Sequence, residues 1–414
     1  MPALGSLAVE PVYVLVDTAI VGRIGTEELA GLAVAATVLS FVFAGGNFLT
    51  YGTTERVARR LGAGDRTGAG EVGVQALWLG VCFGVPAAVL LGAFARPIAS
   101  VFGADGEVLG HADTYLSISA IGVPFFLVTL AAQGVMRGAS DYVTPLWVLL
   151  AANVANLLIE LVLVFVLDMG VAGSALSTVV AQIGAAMAFV WLLRGQISAA
   201  TQRGPSRAGM APLMTAGRHL IVRVAAMLAV FGGATAIAAR IDDVTLAAHQ
   251  IAMSLFLLLA LVLDAFAVPA HTLVAEEQGR GDGALFVARR SVRLSVIAGV
   301  GLGVIVASTS WLLPLAFTDD AAVADRASGA LLFLAVAVVP GAIAFAHDGI
   351  LIGAGDYRFL GLAAIGYLVA VAPFGVATLL RPELGITGIW SGLVVWMVLR
   401  AVVNDRRTRR VLAT

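Results

Sequence analysis

The chain has 414 residues, of which 60% are hydrophobic and only 12% charged, with a formal net charge of −1. Soluble domains carry about 25% charged residues, so a water-soluble globule is excluded. All 25 basic residues are arginine, and without lysine there is no P-loop, kinase or Schiff-base chemistry to make this chain an ATP motor. The single cysteine, Cys82, excludes disulfides and thiolate metal clusters, and near-neutral charge argues against nucleic acid as a partner.

A helix that crosses a bilayer needs about 20 mostly apolar residues. Twelve such runs are predicted, at 1–22, 28–52, 71–95, 110–136, 143–167, 170–193, 212–239, 246–270, 291–316, 327–351, 358–380 and 384–403. No segment alternates like an outer-membrane barrel strand. The expected fold class is an all-α integral membrane protein whose short connections make neighbouring helices antiparallel. Basic residues stay on the cytoplasmic side. With the 52–71 loop inside, 19 arginines fall inside (Arg137 and Arg400 among them), 5 fall outside, and Arg223 falls within a span. One helix more or fewer would scramble that alternation. It supports a multi-pass protein of a prokaryotic plasma membrane with both termini cytoplasmic. Met1–Gly22 has no basic start and no small-residue cleavage site, and it carries Glu10 and Asp17, so it is read as the first span rather than a signal peptide.

Along the chain, a few spans carry polar groups that are expensive in lipid and are functional candidates by default. In the first span, Glu10, Tyr13 and Asp17 are spaced three and four apart and share one helix face. Pro11 removes the hydrogen bond to the Leu7 carbonyl, giving that helix a place to kink. In the fifth span, Asn153, Asn156 and Glu160 repeat the spacing. Two polar stripes in an apolar half are best satisfied by facing each other or a wet cavity. A carboxylate there can bind and release a proton, or coordinate Na⁺ with amide and hydroxyl oxygens at Asp17, Asn156 and Glu160; a plain hydrogen-bond network locking the two helices is the other reading. Further on lie Arg223, Asp264 and Asp348, in spans seven, eight and ten, which can neutralise one another as an internal ion pair. His249, His271 and His347 are read as interfacial or hydrogen-bonded histidines. Gly299, Gly301 and Gly303 sit mid-span, where glycines serve close helix packing. No metal-ligand spacing and no nucleophile elbow occur, so neither a structural metal nor a cofactor is expected.

The chain repeats itself. Residues 18–65 align without a gap on 235–282, Gly138-Ala139-Ser140-Asp141-Tyr142 echoes Gly353-Ala354-Gly355-Asp356-Tyr357, and Gly170-x-x-Gly173 echoes Gly385-x-x-Gly388. An offset of six helices makes the repeats parallel, related by an axis along the membrane normal. The expected organisation is an N-terminal lobe at 1–195, a cytoplasmic linker at 196–211, a C-terminal lobe at 212–404 and a basic cytoplasmic tail at 405–414. Two such bundles suit an alternating-access transporter. Pro2 aligns with His219, so the first repeat lacks a flank that the second has; either a start upstream of Met1 or a shortened first helix is expected, the former being preferred.

Val16-Asp17-Thr18-Ala19-Ile20-Val21-Gly22, followed by Gly25-Thr26-x-x-Leu29-Ala30-Gly31-Leu32, resembles the start of multidrug and toxic compound extrusion (MATE) transporters. Leu246-Ala247-Ala248-His249-Gln250-Ile251, the run from Asp348 to Asp356 and Val171 to Thr178 are similar to its DinF-like branch. The resemblance implies a V-shaped fold of two six-helix lobes and efflux of amphipathic, often cationic compounds driven by inward H⁺ or Na⁺. It places the first-span acid at Asp17 with Tyr13 one turn before it, the fifth-span pair at Asn156 and Glu160, the sixth-span hydroxyl at Thr178, and less closely Tyr115 and Gln133 in the fourth span. Members commonly carry Asp where this chain has Glu160, whose extra methylene suits proton binding better than sodium geometry. A monomer in the lipid bilayer is expected. The rivals are a flippase for lipid-linked precursors, disfavoured by one intramembrane arginine against five acids, and an intramembrane aspartyl enzyme, for which Asp17 and Asp348 lack the sequence contexts.

Overall fold

The computed structural model describes Gly5, Asp17, Thr18 and residues 20–413. Glu10, Pro11 and Tyr13 lie outside the described residues, as does most of the first predicted span. Every regular element among the described residues is helical, as an apolar chain in lipid requires, because only a helix satisfies its own backbone. Asp17, Thr18, Ile20 and Val21 are helical and close that first helix ahead of a turn at 22–24. Eleven further segments are long and apolar enough to cross a membrane.

In chain order they are α1 (Thr26–Gly46) with α2 (Phe48–Gly62), α3 (Arg66–Ala93), α5 (Gly106–Gly138), α6 (Val143–Leu161), α7 (Gly170–Ile197), α8 (Arg207–Ile241), α9 (Asp243–Arg280), α10 (Ala284–Thr309), α11 (Ala321–Gly353), α12 (Tyr357–Leu380) and α13 (Gly385–Leu412), with a short α4 (Ala95–Val101) between α3 and α5 that is not a span. The chain gathers into two compact units, Met1–Gly217 and Arg218–Thr414, with the boundary inside α8. In the first unit α5 is central and packs on α1, α2, α3 and α7; in the second, α11 packs on α9, α10 and α13. Both central helices have 33 residues.

The repeat is built on matching helix crossings. A Cβ at Gly134 would lie 2.8 Å from the Thr50 carbonyl oxygen, and one at Gly138 2.7 Å from Val57 Cβ. At the positions 215 residues on, a Cβ added at Gly349 or Gly353 would lie 2.3 Å from the carbonyl oxygen of Ala267 or His271, respectively. Each pair is spaced i, i+4, the small-xxx-small pattern that lets two helix backbones touch in a membrane. The first crossing is also hydrogen-bonded, Thr50 Oγ1 to the Leu130 carbonyl at 2.9 Å and Thr54 Oγ1 to the Gly134 carbonyl at 3.1 Å. Gly299 and Gly303 pack α10 onto Ala342 and Ala335 of α11 in the same manner, while nothing lies near Gly301.

The helices run past the predicted spans, and the loops shrink accordingly. The predicted loop at 52–71 is only residues 63–65; Arg56, Arg59, Arg60 and Arg66 sit on helical extensions. Those extensions are stable because their charges are used locally: Arg59 pairs with Glu55 at 2.7 Å, and Arg60 with Asp65 at 2.8 Å. Asp65 also caps α3, accepting from the Gly68 backbone N–H at 2.8 Å. That N–H, more than Arg60, holds its carboxyl below the usual carboxylate range. Two arginines counted into inside loops are buried inside the protein. Arg137 is buried at the end of α5 and Arg400 in the middle of α13. A rule that counts arginines near span ends cannot see Asp348 on another helix, which makes the burial of Arg400 tolerable. Between α7 and α8, residues 198–206 are fastened to α3, Trp78 Nε1 donating to the Arg203 carbonyl and Gln75 Nε2 to the Gly204 carbonyl, both at 2.9 Å.

Candidate functional site

In the first unit the candidate polar residues converge from four helices. Asn156 and Glu160 lie one turn apart on α6, and both are buried. Directly after Glu160 the helix widens into a π turn, Val162–Val166, a local distortion found often beside functional sites. The chain then reverses through left-handed Asp168 (φ 53°) and Gly170 (φ 55°) into α7. Gly173 permits the close return, since a Cβ there would sit 3.1 Å from Leu163 and Met169 atoms. That approach delivers Ser174, Ser177 and Thr178 into the same space.

Ser174 Oγ donates to Asp17 Oδ1 at 2.7 Å, and both residues are buried. The Glu160 carboxyl faces Asp17 and Ser174, yet among the described residues neither of its oxygens meets hydrogen-bond geometry with a donor. Asn156 Nδ2 donates to Thr178 Oγ1 at 3.3 Å, and Thr178 in turn donates to the Ser174 carbonyl at 3.2 Å. Tyr115 of α5 is buried against the group, its hydroxyl reaching Thr178 and Ser174. The polar stripes of the first and fifth spans do meet, at Asp17 and Glu160. Asn153 is half-buried one turn before Asn156 on α6. Gln133 is elsewhere, at the end of α5, where it accepts from Arg137 at 3.1 Å.

Two carboxyl groups facing each other away from water repel when both are charged, and little solvent screens them. A proton on one, or a monovalent cation shared by both, removes the repulsion. The oxygens of Asp17, Glu160, Ser174 and Asn156 are the groups able to hold such an ion. Ser174 escaped sequence reasoning because serine is unremarkable in a small-residue helix; its position one turn before Thr178 was the available signal.

The second unit holds a different cluster. Asp348 Oδ2 accepts from Arg223 at 2.6 Å and from Arg400 at 2.5 Å, and Oδ1 accepts from Asn404 Nδ2 at 2.8 Å. Tyr367 completes the chain by donating to Asn404 Oδ1 at 2.8 Å. Arg400 lies over the Trp396 ring, 4.5 Å from its centroid, which offsets part of its desolvation. Asp264 is within electrostatic range of both arginines and of Asp348. The internal ion pair expected for Arg223 is present, with a second arginine that the loop count hid. Trp396, Arg400, Asn404 and Thr408 recur every four residues along one face of α13, a pattern legible in the sequence.

The histidines are hydrogen-bonded or buried: His249 with Thr235 Oγ1 at 3.2 Å, His347 with Thr408 Oγ1 at 2.9 Å, and His271 beneath Gly353. Glu27, Glu107 and His111 bring ligand atoms within 4.8 Å of one another at the starts of α1 and α5, a grouping no sequence spacing revealed. The two glutamates lie in first helical turns, where carboxylates complement the helix dipole.

The MatE family model matches residues 2–162 and 220–376, which together make up most of the chain and follow the two repeats. Protein DETOXIFICATION 44, chloroplastic, of Arabidopsis thaliana is 31% identical over 98% of this chain and 80% of its own length. DNA damage-inducible protein F of Escherichia coli (strain K12) is 28% identical over 97% of this chain and 89% of its own. Multidrug resistance protein PmpM of Pseudomonas aeruginosa is 26% identical, covering 95% and 86%. A crystal structure of MATE in the bent conformation superposes with a TM-score of 0.93 at 20% identity, over all of this chain and 94% of that one.

Proposed function

The chain belongs to the MatE family, and we propose that it is a secondary antiporter that exports amphipathic, often cationic compounds across the plasma membrane by alternating access. In this reading both termini are cytoplasmic, and inward flow of H⁺ drives the exchange. The observation that carries it is the pair Asp17 and Glu160, facing each other in the interior of the first unit with Ser174 donating to Asp17.

The mechanism follows from charge. With the pair deprotonated, the first unit holds net negative charge in a poorly screened interior, and a lipophilic cation is attracted by Coulomb energy as well as apolar burial. A proton arriving from outside neutralises one carboxyl. Attraction for the cation falls, the compound leaves outward, and the proton is released inside after the transporter reorients. Relatives named as multidrug resistance proteins support the choice of substrate class. Na⁺ is the competing driver, and Glu160 carries one more methylene than the family's usual aspartate, which favours the proton.

Purified protein in liposomes separates the two drivers. Uptake of a fluorescent lipophilic cation is measured under an imposed pH gradient and, separately, an imposed Na⁺ gradient. Uptake under the pH gradient alone is expected. Uptake that follows only Na⁺ overturns the proton assignment, and uptake under neither overturns antiport.

A further inference from the structure

Residues 196–211 join the two repeats, and a transporter whose units rock would be expected to pivot in that connection. The structure fastens it down instead. Trp78 Nε1 donates to the Arg203 carbonyl and Gln75 Nε2 to the Gly204 carbonyl, both at 2.9 Å, and the Ser206 N–H returns a bond to Gln75 Oε1 at 2.8 Å. Thr201 Oγ1 donates to the Glu71 carboxylate, and buried Ala200 lies against Gly70. The fastening continues into α8. A Cβ at Gly209 would lie 2.7 Å from Gln75 Cγ, and Arg56 Nη2 donates to the Pro212 carbonyl at 3.4 Å. Leu213 and Ala216, both buried, lie against α2, where a Cβ at Gly52 would be 3.6 Å from Leu213 Cδ2 and 3.7 Å from Ala216 Cβ. At Gly217 a Cβ would come within 2.6 Å of the Phe48 ring. Two residues later the neighbour is different: a Cβ at Gly361 of α12 would lie 2.8 Å from the His219 carbonyl oxygen.

We propose that the pivot between the two units is the Gly217–Arg218 step inside α8, and that residues 198–217 travel with the first unit. This rests on the alternating-access reading and says where in the chain the rocking is taken up. The helix changes packing partners within this step, and the boundary between the compact units falls on it, so a bend here breaks no contact inside either unit. A pivot in the linker would have to tear the bonds to Glu71, Gln75 and Trp78. Phe48 leaves no room for a side chain at Gly217, and a residue without one is a poor helix former that rotates easily. A few such positions are enough to absorb a hinge rotation. Pro212 is the rival bending point, since it has no N–H for the Ala208 carbonyl. Yet the helix is held to the first unit on both sides of it, at Gly209 and at Leu213. Bending there would pull Leu213 and Ala216 off α2.

The test places cysteines in the full chain after Cys82, its single cysteine, is changed to serine. The 3.7 Å separation between Ala216 Cβ and a Cβ at Gly52 suits a disulfide. Oxidised Gly52→Cys/Ala216→Cys protein in liposomes should take up a fluorescent lipophilic cation within about twofold of its reduced form, because the bridge lies inside one moving body. A loss of more than about tenfold on oxidation, restored by reductant, overturns the proposal, as does failure of the pair to cross-link. Motion is read separately, by pulsed electron spin resonance distances at acidic and alkaline pH. Spin labels go in pairs on Met187→Cys of α7, Met214→Cys of α8 and Val304→Cys of α10, all exposed positions. The 187–214 distance should stay constant while 187–304 and 214–304 change. If residue 214 instead keeps its distance to 304 and changes it to 187, the pivot lies before 214 and the proposal is wrong. If none of the three changes, the units do not rock; the alternating-access reading fails, and the pivot with it.

Discussion

Gly349→Ala tests the closest helix crossing in the second unit. A methyl at this position would sit 2.3 Å from the Ala267 carbonyl oxygen and 2.9 Å from its carbon. Both atoms are backbone within α9, so no rotamer change can relieve the clash. Restoring ordinary contact requires the helices to part by roughly 1 Å. Overpacking of this kind costs about 1–3 kcal/mol, and a backbone neighbour puts it at the upper end. Alanine returns up to about 1 kcal/mol of helix propensity, leaving a net loss of about 2 kcal/mol. For a unit of this size that is a drop of roughly 4–8 °C in melting temperature. Gly301→Ala is the matched control, because nothing lies within 4 Å of its Cβ position; only the propensity gain applies, and its melting temperature should hold or rise. The assay is thermal unfolding of purified protein in detergent followed by far-ultraviolet circular dichroism. If Gly349→Ala melts at or above Gly301→Ala, the α9–α11 crossing is not as close as described.

Three further outcomes follow from individual contacts. Ser174→Ala removes the donor at 2.7 Å from Asp17, a charge-assisted bond of about 1.5–3 kcal/mol; proton-driven uptake should slow at least tenfold, while Ser177→Ala, which loses only a bond to the Ser174 carbonyl, should be far milder. Arg400→Gln leaves Asp348 short of a buried partner and should cost about 3–5 kcal/mol, against less than about 1 kcal/mol for Arg407→Gln, whose pair with Asp356 is partly exposed; thermal unfolding ranks the two. Asp242 caps α9 through the Thr245 N–H at 2.6 Å and pairs with Arg326, and the Thr245 N–H first, then the Thr245 hydroxyl and Arg326, hold its carboxyl below the usual range. Its stabilisation is therefore full above the unfolded value of about 3.9 and is lost as pH falls through the lower folded value. Asp242→Ala should lower the melting temperature at pH 7, and that difference should vanish in strong acid.

The repeat was legible because glycine at a backbone crossing has no substitute: Gly138 and Gly353 mark the same contact in the two units. The first-unit acids were legible because Asp17 and Glu160 stand out against an apolar chain. Helix lengths were not, since a hydropathy window stops where lipid stops, while Glu55, Arg59 and Asp65 carry the helices on. Arg400 was misplaced for a related reason. Near the end of a predicted span it looks like a loop residue, and only Asp348, 52 positions away in sequence, makes its burial possible. Ser174 shows the remaining limit: its importance comes from Gly173 and the π turn before it, which bring α7 close to Glu160, and composition does not encode that approach.

Asp17→Asn is the most direct test of ion coupling. In proteoliposomes at matched protein content, with folding checked by thermal unfolding, the variant removes the charge and keeps the shape. Loss of pH-gradient-driven cation uptake in a folded, inserted protein is the result expected if Asp17 and Glu160 form the coupling site. Full gradient-driven uptake by Asp17→Asn would contradict it.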